Sequence, residues 1–157
     1  MDLAAVIADL KASLHDSANV FNAPADADFL RLLRRSLPDM QVKRPVTRLG
    51  SLQLVAGVAR YPVVDAGFAA LKMHLWGDPA RTPKPWEPCF PGVVPRVSAF
   101  WDGAVWWLVF ESAPTDLQVA VWGKLFSYWY FAEHVLSDTT VSIADADVGL
   151  LLLRAQV

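Results

Sequence analysis

Three histidines, one cysteine and two glutamates beside aromatic runs are the side chains of this 157-residue sequence that invite a search for chemistry. His15, His74 and His134 lie far apart, and none has a second ligand type at i+2 to i+4 in a recognised metal spacing. Glu133-His134 alone is too short a pattern to hold an ion. Cys89, the single cysteine, excludes an internal disulfide and every multi-cysteine zinc motif. There is no Gly-x-Ser-x-Gly elbow, no phosphate-cradling Gly-rich loop and no base placed to activate the thiol, so nucleophilic catalysis lacks its parts. Asp26 with Asp28, and Asp145 with Asp147, sit where helix caps and dipole-facing acids belong. Glu111 and Glu133 are the only glutamates near the aromatic strands, the pair a glycosidase would need. No catalytic residue, metal ligand or cofactor site is assigned on these grounds.

The elements that would position these residues follow from periodicity. Leu3, Val6, Ile7, Leu10 and Leu14 recur at helical spacing, which predicts an amphipathic helix over residues 2–16. With no basic region ahead of it, this segment reads as a helix and not a signal peptide. Asn19 to Pro24 breaks the pattern. Asp26 then caps a second helix with the stripe Phe29, Leu30, Leu33 and Leu37; Pro38 limits its extension, and Arg31, Arg34 and Arg35 share the opposite face. After Pro45 the period moves toward two, and Ala56-Gly57 between Leu52, Leu54 and Val58, Tyr61 suggests a short hairpin. Residues 77–96 carry six prolines, too many for a regular element, and form a long loop or arm on which Trp86 and Phe90 need a surface to lie on. Val97 to Phe110 is a hairpin turned at Asp102-Gly103, with apolar residues on both faces. Leu117 to Ala132 reads as a long strand bent at Gly123, or as a helix through Trp122, Leu125, Phe126 and Trp129. Asp138 to Thr140 ends it. Asp145 or Asp147 caps a last helix, apolar nearly all round and therefore buried in its own core or in a partner.

The expectation is an α+β fold in a single domain, residues 1–157: a helical part (2–37), a Pro-rich arm (77–96), an antiparallel β part (97–132) and a C-terminal helix (145–157). At this length a chain buries about 70% of the surface it exposes when unfolded, so neither metal nor disulfide is required for a core. The longest uncharged stretch, Leu49 to Ala59, is eleven residues, against the about 20 a membrane helix needs.

Charge is distributed unevenly. Residues 1–28 hold five Asp and one Lys, residues 29–96 eleven bases and four acids, and residues 97–157 seven acids and two bases. The basic density peaks from Arg31 to Arg48. It is a solvated face that meets acidic segments of its own or a neighbouring chain, or a surface tolerating passing nucleic acid; without interleaved aromatics it reads no bases. Seven tryptophans, five of them between Trp101 and Trp129, invite a sugar-binding platform, against which stands their more usual place in sheet cores and subunit interfaces.

Several short strings, in order, resemble the head-to-tail adaptor (connector or head-completion) proteins of tailed bacteriophages. They are Asp26-Ala-Asp-Phe-Leu-Arg31, Arg44-Pro-Val-Thr-Arg-Leu-Gly50, Tyr61-Pro62, Trp76-Gly77, Lys84-Pro-Trp86 and Leu150-Leu-Leu-Leu-Arg-Ala-Gln156. The resemblance implies a small helical protein with a β insertion and no enzymatic activity. It implies a homo-oligomeric, dodecameric ring beneath the portal, made in the bacterial host cytoplasm and placed in the virion neck. It also implies portal and tail or stopper proteins as neighbours, packaged DNA passing through the lumen without sequence-specific binding, and no membrane. A closed ring needs two unlike matching surfaces on each subunit. The candidate subunit and portal contacts are Arg31, Arg34, Arg35, Arg44, Arg48, Trp86, Phe90, Leu150, Leu151, Leu153 and Arg154. The alternative from another class is a Trp-rich carbohydrate-binding β module; a small enzyme of unrecognised type is the third.

Overall fold

The computed structural model describes residues 2–14, 26–78, 80, 82–137 and 140–156. In chain order the elements are α1 (Leu3–Leu14), α2 (Ala27–Lys43), β1 (Val46–Gln53), β2 (Arg60–Pro62), β3 (Phe68–Trp76), β4 (Val97–Trp101), β5 (Trp106–Phe110), α3 (Asp116–Trp122), β6 (Leu125–Ala132) and α4 (Val148–Ala155). The class is α+β. The chain forms two compact units, a helical one from Met1–Val46 and Glu133–Val157 and a β unit from Thr47–Ala132. The insertion between the helices therefore starts some fifty residues before the expected β part. Among the described residues no helix is long and apolar enough to cross a membrane.

In the helical unit the apolar stripes meet as their spacing requires. Leu3, Val6, Ile7 and Leu10 of α1 pack with Phe29, Leu33, Leu37 and Met40 of α2 and with Leu151 and Ala155 of α4. Of the first predicted helix, His15 and Asp16 lie outside the described residues, as do the Asn19–Pro24 break and Asp138 and Thr139. Asp26 stands at the α2 N-cap position, but its carboxylate makes no cap bond and pairs instead with Lys11 Nζ at 2.7 Å. Pro38 does not end α2, which runs on to Lys43. The proline removes one N–H and so frees the Arg34 carbonyl; both residues face solvent, where water can satisfy that carbonyl. The C-terminal end is held by His134, whose Nε2–H donates to the Arg44 carbonyl at 2.8 Å while its backbone N–H donates to Gln41 Oε1 at 2.8 Å. α4 is not buried all round: Leu151 is in the core, whereas Leu150 and Leu153 are exposed.

The β unit holds two three-stranded antiparallel sheets of order β1-β6-β3 and β2-β5-β4. Their inner faces are aromatic: Phe110 meets Phe126 edge to face at 5.2 Å, and Phe68 lies between Trp106 at 5.4 Å and Tyr130 at 5.1 Å. The Asp102-Gly103 hairpin forms as expected, with Trp101 opposite Trp106 and Gly103 at φ 99°. The hairpin expected around Ala56-Gly57 does not form. Gly57 is in a left-handed turn, but β1 joins one sheet and β2 the other, so the turn passes the chain between sheets. Leu117 to Ala132 is neither one strand nor one helix. Thr115 and Gln118 make a reciprocal capping box that starts α3, and Gly123 at φ 82° ends it and releases β6. β3 has no counterpart in the sequence reading, because its alternation is broken by irregularities at Phe68/Ala70 and Leu71/Met73.

Among its described residues the proline-rich segment 77–96 contains no helix or strand. It is tied to α3 by Trp122 Nε1–H donating to Thr82 Oγ1 at 3.1 Å and Gln118 Nε2–H donating to the Val93 carbonyl at 3.3 Å. Pro91 and Pro95 are buried; Trp86 is not.

Candidate functional site

Strand alternation fixes which side chains the β unit offers outward. In β6, Phe126, Tyr128, Tyr130 and Ala132 point inward, leaving Leu125, Ser127, Trp129 and Phe131 on the other face. The β3 register sets Met73 beside Trp129 and Leu75 beside Ser127. Lys72 spans this outer face, donating to Thr47 Oγ1 at 3.2 Å with its ammonium 5.4 Å from the centre of the Phe131 ring. Met73, Leu75 and Leu125 are about half exposed, and Leu49 of β1 is more so. Here is a sheet face of core-like composition that meets water. Singly exposed apolar residues need no explanation, but a contiguous set marks an interaction site.

The outer face of the second sheet is also apolar, with polar groups at its rim. Phe100 and Trp107 are cross-strand partners, as are Ser98 and Val109 and also Arg60 and Val109. With Asp102 they line a groove of about 380 Å3. Asp102 accepts the Trp107 Nε1–H at 2.7 Å and the backbone N–H groups of Ala104 and Val105 at 2.9 and 2.8 Å. Those hydrogen bonds, led by the one from Val105, hold its carboxyl below the usual carboxylate range and fix the plane of the indole.

A third feature lies where β3, α3 and the proline-rich segment meet. His74, Trp76, Thr82, Phe90, Val93 and Trp122 line a groove of about 510 Å3. Trp76 donates its Nε1–H to the Gly123 carbonyl at 2.8 Å and meets Trp122 edge to face at 4.8 Å. His74 stacks on Phe126 at 5.4 Å, and burial pushes its pKa below the ordinary 6.5. The groove is thus walled by neutral aromatic rings.

The helical unit carries the arginine face. Arg31, Arg34 and Arg35 are exposed on one side of α2. Arg44 reaches the half-buried Asp147 at 3.6 Å, and Arg154 bonds Asp39 in an exposed pair of small energetic weight. Between α2 and α4 a groove of about 400 Å3 is lined by Asp39, Met40, Lys43, Leu150, Leu153 and Arg154. The charge asymmetry of the sequence does not survive folding. The helical unit carries seven bases and ten acids and the β unit seven bases and six acids, because the basic helix α2 folds back among the acidic termini.

Of the candidate contacts, Arg31, Arg34, Arg35, Arg48, Trp86, Leu150 and Leu153 are exposed, and Phe90 is half-buried in the groove wall. Arg44 and Arg154 are exposed but already ion-paired. Leu151 is fully buried against α1 and α2 and offers nothing to a neighbour, so it leaves the set. Met73, Leu75, Leu125, Phe100 and Trp107 belong to the outward surfaces without having been singled out. The strand alternation of residues 97–101, 105–110 and 125–132 was the available signal for Phe100, Trp107 and Leu125; Met73 and Leu75 lie in β3, where that alternation is broken.

Glu111 belongs to the β unit and Glu133 to the helical unit. Cys89 is exposed, and no three His, Cys, Asp or Glu come together among the described residues. Asp65 accepts the hydroxyl of the buried Tyr128; burial, and then that bond, push the phenol above its ordinary value, so it stays neutral and structural. No protein-family model and no curated protein matches the chain.

Proposed function

We propose that this protein is a non-catalytic structural subunit of the neck of a tailed-phage virion, assembling into a ring that joins the portal to the tail and helps retain packaged DNA. The observation that carries the reading is the outer face of sheet β1-β6-β3, where Leu49, Met73, Leu75 and Leu125 extend an apolar surface around Trp129 and Phe131. Covering a large apolar side chain completely is worth about 1.5–3 kcal/mol, so several half-exposed ones together favour a neighbour over water. The ordered string resemblance supplies the identity of that neighbour, first another copy and then the portal. DNA threading the ring would be retarded by unpaired arginines in the lumen. Arg31, Arg34 and Arg35 therefore belong at protein contacts. The test is the size of the full chain in solution, with and without a portal protein, followed by electron microscopy of the particles. Rings that bind portal support the proposal, and a monomer indifferent to portal overturns it.

A second reading, a carbohydrate-binding module, is favoured by one specific observation. Trp107 is held flat by Asp102 beside Phe100, Arg60 and Ser98, a platform with polar groups at its rim. Quenching of tryptophan fluorescence by a panel of neutral oligosaccharides tests it.

A further inference from the structure

We infer that neighbouring copies meet as knob and groove: the Trp86 indole of one copy enters the groove formed by His74, Trp76, Thr82, Phe90, Val93 and Trp122 of the next. This deepens the ring proposal and rests on it for the existence of copies in contact.

The knob is rigid. Pro85 and Trp86 are the central residues of a turn closed by the Glu87 N–H donating to the Lys84 carbonyl at 2.8 Å, with proline fixing the first central φ. The Glu87 carboxylate returns to accept the Lys84 N–H at 3.0 Å, and the Phe90 N–H bonds the Glu87 carbonyl at 3.0 Å, which fixes the next turn as well. On this doubly bonded base the indole is 76% exposed, more than Phe100 or Trp101. The Lys84 ammonium sits 5.3 Å from its ring centre, a cation on the aromatic face. A large apolar side chain presented to water on an already ordered turn loses little entropy on docking, which is the property of an interface anchor.

The groove lacks such an anchor. Its two indoles, Trp76 and Trp122, are buried and fixed by their own hydrogen bonds, its rim residue Val93 is strongly exposed, and at about 510 Å3 it has room for an indole and part of the turn behind it. The exposure of Trp86 shows that a copy does not fill its own groove with its own knob. In a ring the docking is one-way: each event then leaves one free knob and one free groove, so the contact is heterologous and propagates until it closes.

The experiment is analytical ultracentrifugation of the full chain as wild type, Trp86→Ala, Trp86→Phe, Val93→Arg and an equimolar mixture of Trp86→Ala with Val93→Arg. Both altered positions are exposed, and thermal melts verify that each variant folds. Loss of an interface anchor weakens association roughly thirtyfold or more. Trp86→Ala and Val93→Arg are each expected to fall to monomer, and Trp86→Phe to retain partial assembly. The mixture is expected to form a one-to-one dimer and nothing larger, since one partner retains only the groove and the other only the knob. Wild-type-sized oligomers from the single variants, or a mixture that stays monomeric, overturn the knob and groove while leaving the ring proposal standing. A wild type that is monomeric at every concentration overturns the knob and groove, and one that is also indifferent to portal protein removes the ring proposal with it.

Discussion

The Tyr61 hydroxyl is bonded at both of its functions to one residue, accepting the Val55 N–H at 2.8 Å and donating to the Val55 carbonyl at 2.9 Å. This pair pins the passage from the β1 sheet to the β2 sheet, while the Tyr61 ring meets Phe110 edge to face at 5.7 Å. Tyr61→Phe keeps the ring and loses both bonds. Because Val55 is exposed, water compensates in part, and the expected cost is about 1–2 kcal/mol. Urea denaturation checks it: the midpoint should fall with the slope unchanged.

Gly50 is required for space. A Cβ there would stand 2.6 Å from both Asp65 Oδ2 and Tyr128 Cζ. Gly50→Ala must displace the buried ring or break its bond to Asp65, an overpacking cost of about 1–3 kcal/mol. Thermal unfolding should register a lowered midpoint, whereas Gly103→Ala meets no atom within 4 Å and pays only for its positive φ.

Stability should depend on pH through His74. Burial lowers its pKa in the fold from the ordinary 6.5, so on acidification the unfolded chain takes up the proton first. The contribution is fully present above the unfolded value of 6.5 and is lost as pH falls through the lower folded value. Urea midpoints on either side of 6.5 should show this loss, and His74→Phe should reduce it.

How much of this was legible in the sequence depended on how local each determinant is. The stripe of α1 and the Asp102-Gly103 turn are set by residues within a few positions of one another, and both form as expected. The Ala56-Gly57 turn is equally local and equally real, but its flanking strands pair with β6 and β5, partners more than forty residues away that no local pattern encodes. Thr115-x-x-Gln118 signals a helix start inside a run whose Val and Trp content argues for strand, and there the cap prevails. Exposure of the candidate site was legible at Trp86, fenced by prolines, and illegible at Leu151, since a helix apolar all round does not say which leucine faces inward.

Trp107 separates the two functional readings. On the outer face of its sheet, Trp107→Ala should spare the inner core and leave the oligomer unchanged while abolishing any oligosaccharide quenching. Ultracentrifugation and fluorescence titration of the same sample check both halves.

The central claim is that this chain associates with copies of itself because the outer face of its β1-β6-β3 sheet is too apolar to stay wet. Native mass spectrometry of the full chain over a wide concentration range tests it most directly. The account predicts one closed oligomer of fixed stoichiometry. A monomer throughout, also in the presence of portal protein, would contradict it.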